Sequence, residues 1–239
     1  MVSDRIHKTL HTKSKEHQVE LKRLRKEVED APLSDNVVVL DGTPQIRGIN
    51  TLIMEPNVLR EDFVFYFDRL AALLVERATE CITFTPHIIT TPAPHEQEYT
   101  GLKFDGEVSA VVVLRGGSIL ETGLKRVIPD CRTGRVLIQT SWRTGEPELH
   151  YYKLSEGIAT HDKVLLLDPQ MSSGGAALMA VRVLLDHGVE EHKIVFVTYM
   201  AGRNGLKRLM SVYPEIKVIT CRIVDDLEAR WVESKYHGC

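Results

Sequence analysis

Two loops in this chain carry residues of the right types and spacing for chemistry on a phosphorylated sugar. The first follows the apolar run Val164-Leu165-Leu166-Leu167 and reads Asp168-Pro169-Gln170-Met171-Ser172-Ser173-Gly174-Gly175-Ala176, after which the sequence turns strongly helical. Small residues let a backbone approach a ligand closely, and successive N–H groups at a helix N-terminus can cradle a phosphate. An acid at the C-terminal end of a parallel strand stands where open sheets hold their ligands, within reach of sugar hydroxyls. Asp168 with the loop behind it therefore reads as a ribose-phosphate site. The plainer alternative is a strand–turn–helix whose glycines serve packing alone. The loop has no Lys beside its serines, so the GxxxxGK[ST] pattern fails, and the chain has no GxGxxG for a dinucleotide. The second loop, Arg115-Gly116-Gly117, ends the apolar run 108–114. Arg115 can offer charge-assisted hydrogen bonds to an anion, with Gly116 and Gly117 permitting a strained backbone that exposes N–H groups beside it. The competing role for Arg115 is an ion pair at a strand end.

The elements that must position these loops follow from pattern. Residues 108–114 form a near-continuous apolar run, as in a strand buried on both faces, and 118–127 a helix after it. Phe63, Phe67, Leu70, Leu74 and Ala78 share one face of a helix over 63–78, with Asp62 as N-cap. Strands are expected at 136–140 and 149–154, joined by a turn-rich segment into an extended hairpin. The main loop leads into a helix over 176–187 closed by Gly188, then a strand at 194–199, a helix at 205–212 and a strand at 216–224. Strands alternating with helices predict a mostly parallel, twisted α/β sheet. Two parts are expected: a charged helical arm or linker over 1–33 and a single α/β domain over 34–239. In the arm, Leu10, His17, Leu21, Leu24 and Val28 make only a thin stripe, too narrow to hold a helix without a partner. His7 and His11 could meet on its face, but nothing completes a site, so no protein-held metal is expected.

Bulk properties exclude several classes. A formal charge of −3 gives no global attraction to nucleic acid, so any anion must be bound locally. The four cysteines are widely spaced without a CxxC, which suits neither a zinc site nor a disulfide framework. No apolar stretch is long enough to span a bilayer and no secretory signal is visible, so the expected location is the cytoplasm.

The same residues resemble the uracil phosphoribosyltransferases, whose loop for 5-phosphoribosyl-1-pyrophosphate (PRPP) usually reads DPMLATGGS. The likeness runs from about Thr43 to Asp225 and includes Arg60-Glu61-Asp62-Phe63-Val64-Phe65-Tyr66, Leu114-Arg115-Gly116-Gly117 and Tyr213-Pro214-Glu215-Ile216. It is closer still to the C-terminal half of two-part uridine kinases, through Thr144-Gly145-Glu146-Pro147-Glu148-Leu149-His150-Tyr151 and the run 179–187. No Walker loop accompanies it. The resemblance implies a type I phosphoribosyltransferase fold with a protruding hairpin. It also implies a homodimer, and magnesium that arrives with PRPP. Within a PRPP-binding loop that also takes in Pro169, Gln170 and Met171, Asp168 is expected to accept from the ribose hydroxyls. The N–H groups of Ser172 to Ala176, with the Ser172 and Ser173 hydroxyls, are expected to hold the 5-phosphate. The resemblance assigns Arg115, catalytic with Asp168, to pyrophosphate beside Gly116 and Gly117. Gly116 replaces the family's Ala.

Three departures matter. Ser173 and Ala176 stand where the family has Thr and Ser. Thr140 stands where the family has an Arg for a second pyrophosphate contact, and Arg143, three residues on, is the candidate substitute. The family's closing YxxPGxGDxGDR, which reads uracil, has no Pro-Gly or Gly-Asp counterpart in residues 227–239. The base-binding residues are therefore unknown, and Trp231 and Tyr236 offer stacking surfaces open to any base. Two functions follow. One is a glycosyltransferase of pyrimidine salvage, converting uracil and PRPP to UMP and pyrophosphate with weak or no activity. The other is a catalytically silent PRPP- or nucleotide-binding domain that regulates, or assembles with, a uridine kinase as partner or fused half.

Overall fold

The computed structural model describes residues 33–92, 94–104, 106–141, 143–225 and 231–238. The chain divides into two units, Met1–Leu33 and Ser34–Cys239, and the expected N-terminal arm, with its histidines, lies outside the described residues. In the second unit a mixed sheet is built around strands that read as apolar runs. These are β4 (Val108–Leu114), β7 (Lys163–Leu167), β9 (Ile194–Gly202) and β10 (Lys217–Val224). Their order is β1-β10-β9-β7-β4-β5-β6, with β1 at Val37–Val39, β5 at Arg132–Thr140 and β6 at Pro147–Lys153. Every neighbouring pair is parallel except β5–β6, which is antiparallel with an irregularity between Leu137 and Ile138. The two-residue β8 (Gln170–Met171) pairs with β9, and β2 (Thr85–Thr90) with β3 (Glu98–Lys103) makes a separate antiparallel ribbon.

Both faces of the central strands are covered. Ala110, Val112, Leu165, Leu167, Val195 and Val197 pack with α1 (Pro44–Met54), α2 (Arg60–Thr79), α3 (Glu121–Val127) and the C-terminal α6 (Val232–His237) in one core. The alternate residues Val111, Val113, Val164, Leu166 and Phe196 are equally buried and point the other way, as strand periodicity requires. On that side lie α4 (Gly175–Asp186), whose Ala177, Ala180, Val181 and Leu184 are buried, and α5 (Arg203–Val212), through Leu206 and Leu209. Phe63, Phe67, Leu70 and Leu74 of α2 are fully buried, and each contributes about 1.5–3 kcal/mol by leaving water.

Local details differ from the sequence expectations. The N-cap of α2 is Leu59, without a side-chain cap; Asp62 lies in the first turn, where it complements the helix dipole. The helix expected over 118–127 splits into a 3-10 turn, Gly116–Leu120, and α3. Helix α1 is additional to the elements expected from pattern. Thr43 caps it by accepting from Ile46 N at 3.3 Å, with Pro44 in the first turn.

Candidate functional site

The chain leaves β4 toward β5 on one side, whereas the strands after β7 build outward on the other. The crevice at the C-terminal ends of β4 and β7 is therefore the sheet's topological switch point, where such folds hold ligands. The Arg115 and Asp168 loops begin on its two sides.

Asp168 is 2% exposed, and its N–H donates to Val197 O at 3.2 Å, which fixes the acid beside β9. The N–H of Gln170 donates to Asp168 Oδ1 at 3.4 Å. Pro169 O accepts from the N–H groups of Tyr199 and Met200, so the loop hugs β9 before turning out. Gln170 and Met171 are buried. The Gln170 side chain has a structural role here, its Oε1 accepting from Val232 N at 2.8 Å. Among the described residues Gln170 Nε2 has no hydrogen-bond partner. Of the loop's remainder, Ser173 is exposed and Ser172 and Ala176 are half-buried; these form its accessible rim.

Glycine is required at Gly174, where φ is +79° and an added Cβ would stand 2.9 Å from Gly205 O. The approach is mutual, since a Cβ on Gly205 would meet Ser172 O at 2.0 Å, and one on Gly202 would meet the same oxygen at 2.9 Å. Gly202 and Gly205 therefore shape the loop from behind. Gly174 is also the N-cap of α4, and no side chain caps that helix or places an acid in its first turn. The first N–H groups of a helix have no internal acceptors, so here they remain available to an anion.

Across the crevice, a cis Leu114–Arg115 peptide bond leads into the 3-10 turn. Ser118 Oγ donates to Arg115 O at 2.8 Å and ties the turn down. Neither Gly116 nor Gly117 has a positive φ. Gly117 is needed for proximity: a Cβ there would lie 2.3 Å from Leu167 O, so it lets the turn press against the end of β7. The Arg115 side chain is 82% exposed, and its Nε is 3.6 Å from Glu233 Oε1. A cleft of about 500 Å³ lies alongside, lined by Leu114, Arg115, Ser118, Glu233, Ser234 and His237.

The C-terminal segment thus lines the site even though it lacks the family's closing motif. Helix α6 is firmly seated. Tyr236 OH donates to Asp68 Oδ1 at 2.8 Å, Arg60 Nε donates to Tyr236 O at 3.0 Å, and Lys235 Nζ donates to Glu55 O at 2.8 Å. Trp231 packs edge-on against Phe63 and Tyr199, and Tyr236 against Phe67. These rings, partly buried, hold the helix to the core. Asp225 is likewise engaged, accepting from Arg203 Nε at 3.1 Å. Thr140 ends β5 opposite Pro147, whose Cγ would lie 3.4 Å from a Cβ on Gly175, so the mouth of the hairpin adjoins the start of α4. Arg143 is exposed in the turn beyond. Glu233 and Val232 give no local signal in the sequence, because both act through contacts more than 60 residues away.

The family model for uracil phosphoribosyltransferase matches residues 39–234. The chain belongs to the uracil phosphoribosyltransferase family. It is 40% identical over 202 residues to the uracil phosphoribosyltransferase of Dictyostelium discoideum, covering 84% of this chain and 90% of that one. Identity is also 40% over 200 residues with mouse uridine-cytidine kinase-like 1, and 34% over 252 residues with the uridine kinase of Saccharomyces cerevisiae. Those matches cover 82% and 100% of this chain but span only 36% and 50% of the two kinase relatives. Among solved structures, the AQ2163 protein of Aquifex aeolicus aligns with a TM-score of 0.69 at 22% identity, covering 84% of this chain and 97% of that one, and shares the family's α/β fold.

Proposed function

We propose that this chain binds PRPP, with its magnesium, and UMP at the switch-point crevice, as a phosphoribosyltransferase-like domain of pyrimidine salvage. The observation that carries the proposal is the opposition of an anchored acid and an uncapped helix start on one strand end to an exposed arginine on the next. In this reading, first-turn N–H groups of α4 and the Ser172 and Ser173 hydroxyls hold the 5-phosphate. Asp168 accepts from ribose hydroxyls, and Arg115 meets pyrophosphate. In this reading magnesium enters with the substrate, bound mainly through its phosphates. Transfer to uracil breaks the C1–pyrophosphate bond as the base nitrogen attacks C1 and loses its proton. The protein's share is positioning and charge stabilisation.

Transfer is expected to be slow, because neither the family's second arginine nor its Pro-Gly and Gly-Asp segment has a counterpart here. A silent PRPP- or nucleotide-binding domain acting with a uridine kinase is the second reading, favoured by those losses and by the likeness to uridine kinases. The experiment is a PRPP-dependent assay of UMP formation from uracil, run beside calorimetric titration of PRPP and UMP. Turnover supports the enzyme, binding without turnover supports the silent domain, and no binding of either ligand refutes both. The same reading makes the protein a cytoplasmic homodimer. Exposed Ile88, Tyr99 and Leu102 on the β2–β3 ribbon and Tyr151 and Tyr152 on β6 supply apolar surface for a partner copy. Light scattering should give about twice the 27.0 kDa chain mass.

A further inference from the structure

Helix α6 presents a carboxylate to the arginine that the proposed function assigns to pyrophosphate. Glu233 Oε1 stands 3.6 Å from Arg115 Nε, with the glutamate side chain 26% exposed and the arginine 82%. The carboxylate is not carried by a loose tail. Its neighbour Val232 is fully buried and bonded to Gln170 of the Asp168 loop, Lys235 is tied to the end of α1, and Tyr236 is tied to Arg60 and Asp68 of α2. The helix backbone is thus held at both ends, and Glu233 is one of the residues lining the cleft beside Arg115.

We infer that Glu233 is an internal competitor for the anion site on Arg115. It occupies the guanidinium in the unliganded protein and is displaced by the pyrophosphate group of an incoming ligand. The inference rests on the reading of Arg115 given above. Its physical basis is simple. A guanidinium that already faces a carboxylate gains less from a second anion, and that anion is also repelled by the displaced carboxylate nearby. UMP has no pyrophosphate and does not enter this contest. Glu233 therefore selects against the more highly charged ligand and narrows the preference of the site for PRPP over UMP. It acts through Arg115 and is a positioning and selectivity residue, not a catalytic one.

The test is titration of the full chain with inorganic pyrophosphate, without divalent metal, and in parallel with UMP. The proteins are the wild type, Glu233→Gln, Arg115→Ala and the double variant. Glu233→Gln should tighten pyrophosphate by at least about threefold, the scale of an exposed ion pair, while UMP affinity stays within error. The gain should shrink as salt is raised and be clearly smaller in the Arg115→Ala background, where only direct repulsion by the carboxylate remains. Glu233→Ala should reproduce it, which guards against a local effect of the amide. Unchanged or weaker pyrophosphate binding by both Glu233 variants overturns the inference, as does an equal gain for UMP. If Arg115→Ala leaves pyrophosphate affinity intact, the assignment of Arg115 itself fails. If Arg115→Ala weakens it while the Glu233 variants are silent, only the competitor fails.

Discussion

The two loops that face each other across the switch point are built in opposite ways. The loop after β7 is made of backbone: an acid 2% exposed, a glycine at positive φ, and the glycines at the start of α5 pressed close behind it. The loop after β4 offers a side chain, Arg115, that is 82% exposed and already engaged with a carboxylate. A backbone cradle is rigid and tolerates little change, because no substitution can move it without moving its packing. A side-chain contact is adjustable, since its strength depends on solvent and on the charges nearby. Under the proposed function, holding the phosphate common to PRPP and UMP suits the first construction, and discriminating between them suits the second.

The largest break in this comparison should come from Gly174→Val. It forces a β-branched residue into positive φ against Gly205 O, and overpacking of that kind costs about 1–3 kcal/mol even before the backbone strain. PRPP and UMP binding should both disappear in calorimetry. Gly175→Ala is the sharpening control. Its Cβ would meet Pro147 at 3.4 Å and Ser173 Oγ at 3.7 Å, both ordinary contacts, so binding should survive; equal loss in the two variants would show that space, and not φ, decides. Next is Arg115→Ala, which should weaken PRPP more than tenfold and leave UMP nearly unchanged, since a charge-assisted hydrogen bond contributes about 1.5–3 kcal/mol. Equal loss for both ligands would make Arg115 structural and erase the contrast between the loops. Ser173→Ala should cost about 1 kcal/mol for either ligand, one hydrogen bond at an exposed rim.

A pH-dependent effect concerns the buried core. Burial pushes the Cys131 thiol up to about 11 and the Tyr199 hydroxyl up to about 12. Both groups are neutral when protonated, so the folded state disfavours their ionisation. Their stabilising effect is whole below the ordinary thiol value of 9.0 and is lost as pH rises through 11, and through 12 for the tyrosine. Thermal melts should be level up to pH 9 and fall above it, and Cys131→Ala should blunt the first part of the fall.

The parallel core is legible because fully buried strands are written as apolar runs, as in Val108–Leu114 and Lys163–Leu167, and the small-residue loop after Asp168 stands out between them. The β2–β3 ribbon is illegible for the converse reason. Thr85–Thr90 is exposed along its whole length and Glu98–Lys103 nearly so, so neither strand shows the alternation that burial of one face imposes. Helix α6 spans only six residues, too short for a period, and its place is set by Phe63, Asp68 and Gln170, all distant in sequence. The part of the site made of local backbone can be read from the chain; the part made by Glu233 cannot, since an ion pair across the fold leaves no pattern in spacing.

The interlock of Ser172 and Gly174 with Gly202 and Gly205 has a mechanical consequence. With no side chain between them to act as a bearing, the loop after β7 packs directly on the start of α5 and is tied to β9 at Pro169 and again at β8. That packing on both sides restrains the loop. A ligand must therefore meet a cradle that is already shaped, and the ordering cost that a mobile loop would levy on each binding event is met once, when the chain folds.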